Sequence, residues 1–90
     1  MDIEALHEEL RKAYPLASEF RGGYSERFDS AESFTQALGT AISQLEHGDL
    51  GVLRKVSLWF LPTSDWDDLV GLDGLELGQR VSDMLLSYGA

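Results

Sequence analysis

Between Ala31 and Leu45 the apolar residues Ala31, Phe34, Leu38, Ala41, Ile42 and Leu45 return at the spacing of a single helix face. Asp29 or Ser30 opens this segment, and Gly48 closes it as the residue beyond the C-cap. Ile3, Leu6, Leu10 and Ala13 repeat the pattern near the start. There Asp2 is the cap, and Pro15 is the stop, because the residue before a proline is pushed out of the α region. A third stripe, Leu77, Val81, Met84, Leu85 and Tyr88, follows Asp73-Gly74-Leu75-Glu76, which has the spacing of a capping box. Three such stripes in 90 residues predict an all-α fold. The expected architecture is a compact bundle of four main helices with short extra helical turns, forming a single small helical domain over residues 1–90.

The segments between the stripes are shorter. Asp49 can cap a third helix with Leu50, Leu53 and Val56 inward. Residues 56–61 are rich enough in β-branched and aromatic side chains to be a strand. With no partner strand elsewhere, a helix running into Trp59 or Phe60 and stopped by Pro62 is expected. Ser64 or Asp65 then begins a short turn through Leu69, closed by Gly71. In the connection 15–29, Arg21-Gly22-Gly23 signals a turn; the four-residue spacing of Leu16, Phe20, Tyr24 and Phe28 allows some helix there, but the favoured reading is that they pin a loop to the core. Glu8 with Lys12, and Glu76 with Arg80, have i, i+4 spacing. Gly39 inside a helix costs about 1 kcal/mol relative to alanine, which points to a close helix crossing, with a ligand contact as the weaker reading.

Charge narrows the partners. Sixteen acidic side chains face seven basic ones, for a net charge of -9. Such a chain repels nucleic-acid phosphates and anionic lipid, so neither nucleic acid nor membrane is expected. It favours a basic protein, although solubility alone also accounts for acidity. Without cysteine there is neither a disulfide framework nor a thiolate nucleophile. No apolar run approaches the ~20 residues needed to span a bilayer. The acidic start lacks the basic region of a secretory signal, so a cytoplasmic location is expected.

The chemistry concentrates between Trp59 and Glu76. This stretch holds both tryptophans, Pro62 and a group of aspartates, and residues 61–79 carry five acids and no lysine or arginine. One reading is a recognition surface: carboxylates of Asp65, Asp67, Asp68, Asp73 and Glu76 pair with basic side chains, and Trp59 or Trp66 supplies a desolvated aromatic anchor. The other is that the acids cap helices and Trp66 plugs the core, its indole N–H bonded to a backbone carbonyl.

Other chemistries meet specific obstacles. Asp65, Asp67, Asp73 and Glu76 occupy positions 1, 3, 9 and 12 of an EF-hand-like register. Leu69 then stands at a ligand position and Val70 where the turn needs glycine. Paired carboxylates for acid–base catalysis require a concave pocket that a small core hardly supplies. His7 and His47 lack zinc spacing and read as surface or capping residues. There is no nucleophile elbow or phosphate loop, and no metal or cofactor is expected.

The run from Leu58 to Gly71, followed by Glu76-Leu77-Gly78 and preceded by Gly48-Asp49-Leu50, resembles a pattern of small uncharacterised acidic bacterial proteins. Proteins of this type in turn resemble immunity proteins, which neutralise a toxin by binding it. The resemblance implies a non-catalytic domain that blocks a basic partner, and it transfers no catalytic residue. A homo-oligomeric structural module, including a homodimer through an aromatic patch, is the alternative. A small carboxylate-based enzyme or calcium-binding protein stands behind both.

Overall fold

The computed structural model describes residues 3–88. Its helices are α1 (Ile3–Ala17), α2 (Ala31–Glu46), α3 (Leu53–Trp59), α4 (Asp65–Leu69) and α5 (Leu75–Tyr88). Short 3-10 turns, Leu50–Val52 and Gly71–Gly74, lead directly into α3 and α5. No strand occurs among the described residues, so 56–61 is helix as far as Trp59. The fold is the expected all-α arrangement with four helices of seven residues or more.

The apolar stripes explain the packing. Every residue of the α2 stripe is buried, as are Leu6, Leu10 and Ala13 of α1 and Leu77, Val81 and Leu85 of α5. These faces join Val52, Leu53, Val56 and the large aromatics in one core. Helix α1 lies against α2 and α5, and α3 touches α2, α4 and α5. Helices α1 and α2 run antiparallel, with His7 Nε2 3.1 Å from Glu46 Oε1 at one point of the seam and Tyr14 on Gly39 at another. A Cβ on Gly39 would stand 2.8 Å from Tyr14 Cε1, so glycine sets the closeness of this crossing.

The capping signals around α2 and the following 3-10 turn hold. Ser30 is the N-cap of α2, its hydroxyl accepting from Ser33 N–H at 3.1 Å. His47 is the C-cap, and Gly48 follows at φ +90°. Asp49 accepts from Gly51 N–H at the 3-10 turn.

Several expectations are corrected. Helix α1 continues through Pro15 to Ala17. Proline in a last turn forfeits one backbone hydrogen bond, and the end is closed by Ser18, whose N–H donates to Tyr14 O and whose hydroxyl donates to Pro15 O. Asp2, the expected cap, lies outside the described residues. Leu16, Phe20 and Phe28 pack on the core, but Tyr24 is exposed, as is Leu50. Tyr88, expected to face inward, is exposed as well. Helix α5 grows out of the preceding 3-10 turn, so the Asp73–Glu76 capping box does not form. Arg80 reaches across to Glu9 of α1 at 2.9 Å in place of Glu76, and Lys12 pairs with Glu9 at 3.3 Å in place of Glu8. Burial opposes the charge on Glu9, yet the hydrogen bonds and positive charge of Arg80 and Lys12 prevail and hold its carboxyl below the ordinary value.

Candidate functional site

The segment from Trp59 to Glu76 divides into an inward and an outward half. Trp66 is the largest fully buried side chain, 1% exposed. Its indole fills a notch cut by two glycines one helical turn apart: a Cβ on Gly74 would stand 2.6 Å from Trp66 Cζ2, and one on Gly78 2.5 Å from Cδ1. The indole N–H donates to Gly74 O at 2.8 Å, so its one polar atom is satisfied inside. Phe60 stacks on Trp66 at 4.8 Å. Phe34 meets it edge-on and links it to Trp59 and Phe28. The expectation that Trp59 or Trp66 forms an exposed anchor is therefore corrected: both indoles belong to the aromatic core, Trp66 enclosed and Trp59 only 7% exposed.

Asp65 is also turned inward, at 0% exposure. Its Oδ1 accepts from the Ser25 hydroxyl and, at 3.1 Å, from Arg27 N–H. Its Oδ2 lies 2.8 Å from an Arg27 guanidinium nitrogen. Arg27 also donates to Ser64 Oγ, whose hydroxyl donates to Leu58 O at 2.8 Å. Desolvation opposes the Asp65 charge, but the Ser25 and Arg27 hydrogen bonds and the Arg27 charge outweigh it and lower its pKa. Asp65 is thus a clasp between the 18–30 loop and α4, and it is corrected as a contact residue.

Asp67 points elsewhere because residues 65 and 67 are two steps apart on a helix, about 200° around its axis. Its Oδ2 accepts from Thr63 N–H at 2.6 Å. Thr63 is the one described non-glycine residue with positive φ, at 61°, a costly conformation for a β-branched side chain that Asp67 helps to hold. The same divergence separates Asp65 from the EF-hand-like register. Among the described residues no three His, Asp or Glu side chains gather as metal ligands.

Beside the Thr63 turn, the chain and α5 enclose a largely apolar groove of about 180 Å³. It is lined by buried Phe60, Gly78 and Ser82 and by exposed Pro62, Leu75 and Leu86, and Asp67 and Asp83 add carboxylates. Leu86 is 62% exposed and Leu75 46%. They are eleven residues apart, which returns to nearly the same helix face after three turns, about 16 Å along the axis. Asp68, Asp73 and Glu76 are exposed and make no ion pair or side-chain hydrogen bond among the described residues. Of the seven expected contact residues, only Asp67 lines the groove. Leu75, Asp83 and Leu86 were not anticipated. The available signal was two leucines outside the inward stripe of α5, in phase with each other.

Compared with known protein families, curated proteins and solved structures, the chain matches none. No described helix is long and apolar enough to cross a membrane.

Proposed function

We propose that this chain is a non-catalytic, acidic protein-binding domain of the immunity or regulatory kind, which covers a basic partner such as a toxin. The observation that carries the reading is the α5 groove: two exposed leucines with Asp67 and Asp83 beside them, next to a stretch with no basic side chain from Val56 to Gln79. The occupant that fits is a basic amphipathic segment. Its apolar side chains cover Leu75 and Leu86, and its lysines or arginines meet the carboxylates, with Asp68 and Glu76 steering the approach. Self-association is the second proposal, favoured by the exposure of Leu72 at 87% together with Leu86. It brings like charges together, and it predicts a mass that rises with concentration in sedimentation.

The first test uses a synthetic Lys/Leu amphipathic helix as probe, followed by amide shifts at physiological salt. Shifts are expected to centre on residues 75–86. Leu75→Glu with Leu86→Glu is expected to weaken binding about tenfold or more. Asp67→Asn with Asp68→Asn is expected to slow association and flatten its salt dependence, while neutralising Glu19 and Asp29, which do not line the groove, changes little. Equal loss from both pairs of neutralisations would leave only diffuse charge attraction and sink the groove as the contact face.

A further inference from the structure

We propose that the seam between α1 and α2 is a second binding site, for a small organic anion with a flat apolar body. It stands independently of the protein-binding face on α5. The seam holds an open groove of about 680 Å³ lined by Arg11 and Tyr14 of α1 and by Gln36, Thr40, Ile42 and Ser43 of α2. Among the described residues no carboxylate lines it, in a chain with sixteen. Glu46, the next acid along α2 beyond Ser43, is tied to His7. Lys12, Arg27 and Arg80 are committed to carboxylates, but Arg11 makes no ion pair or side-chain hydrogen bond among the described residues. Nor do the side chains of Gln36, Thr40 and Ser43, which succeed one another at i, i+4 and i+7 along one face of α2. The groove therefore offers an unspent guanidinium and three unspent hydrogen-bonding groups around an aromatic ring.

Gly39 fixes that ring. Because a Cβ there would strike Tyr14, the tyrosine rests directly on the α2 backbone and forms one wall of the groove, with Ile42 adding apolar surface. A carboxylate or phosphate monoester fits Arg11 and the hydroxyls, and its aromatic or apolar part fits Tyr14 and Ile42. The net charge of -9 opposes any anion, but at 0.15 M salt charges beyond about 8 Å are screened, so the local cation decides.

The experiment is an amide-shift titration of the full chain with benzoate, phenyl phosphate, inorganic phosphate and neutral benzamide. Saturable shifts at Gly39, Thr40 and Ser43 are expected with benzoate or phenyl phosphate, and weaker binding of inorganic phosphate and benzamide. If only one aromatic anion saturates, the headgroup is thereby assigned as carboxylate or phosphate. Arg11→Gln, an exposed change, is expected to weaken the aromatic anions about tenfold and leave benzamide unchanged. Gly39→Ala, which displaces the Tyr14 ring, is expected to weaken benzoate but not inorganic phosphate. Aromatic-anion shifts that never saturate, that spread over the whole chain, or that are undiminished by Arg11→Gln overturn the site. Benzamide binding as tightly as benzoate does so too.

Discussion

Replacing Trp66 by alanine is expected to remove about 3–5 kcal/mol of folding free energy. For a domain of this length the total is roughly 5–13 kcal/mol, so the variant should be marginal at 25 °C. The indole is wholly enclosed, stacked on Phe60 and edge-on to Phe34, and truncation leaves a cavity bounded by backbone at Gly74 and Gly78. That backbone belongs to a 3-10 turn and a helix, which cannot collapse inward as a flexible side chain could. Trp66→Phe keeps part of the ring but leaves Gly74 O without its donor, and about 1–3 kcal/mol is expected. Gly78→Ala overpacks the same notch and is expected to cost about 1–3 kcal/mol. The two changes should be non-additive, since the smaller phenyl ring relieves part of the clash with the new methyl. Urea unfolding followed by circular dichroism measures all of these. The wild-type emission should be blue-shifted and poorly quenched by iodide, because Trp59 is buried as well. Solvent-like emission, or additive costs for Trp66→Phe and Gly78→Ala, would contradict the notch.

What the sequence made legible follows the range of the interactions involved. The α2 stripe, its Ser30 cap and its Gly48 exit depend on residues within a turn or two, and periodicity and capping chemistry locate them. The burial of Trp66 depends on Gly74 and Gly78, eight and twelve residues away. Each glycine alone reads as a turn or a weak point in a helix. Only the folded chain shows that the missing side chains make one slot. The acids failed for a similar reason. Asp65, Asp67 and Asp68 look equivalent in sequence, but one short helix sends the first into the core and the second to the groove, and leaves the third in solvent. The Glu76–Arg80 pair was sound as local chemistry and lost to Glu9, which lies 71 residues from Arg80 in sequence. Pro15 shows the opposite case: the bias against helix before proline predicts a boundary there, yet α1 runs two residues past it and Ser18 closes the end.

Arg27→Ala is expected to cost more than Asp65→Ala, although the two side chains form one ion pair. Removing the arginine strands a carboxylate of zero exposure with only the Ser25 and Ser64 hydroxyls and a backbone N–H for company, and about 3–5 kcal/mol is expected. Removing the aspartate leaves a guanidinium that is one-third exposed and can turn to water or toward Glu26, 3.7 Å away. Its loss is therefore smaller, about 1–3 kcal/mol, mostly from donors left without an acceptor. The pH dependence follows from the direction of the Asp65 shift. Its folded pKa lies below the value near 3.8 of a free aspartate. The stability it contributes is therefore complete above that value and is lost as pH falls through the folded pKa. Glu9 and Glu32, lowered as well, add acid sensitivity of the same sign. Asp65→Asn should remove the Asp65 share and flatten the acid limb of stability against pH. In Arg27→Ala the carboxylate, stripped of its cation, should titrate higher, so the penalty of that variant shrinks on acidification from neutral pH. Denaturant midpoints of the wild type and both variants from pH 7 to pH 3 test the ordering. Equal costs at pH 7, or a penalty for Arg27→Ala that is constant with pH, would mean that the carboxylate is not held in the interior by its arginine.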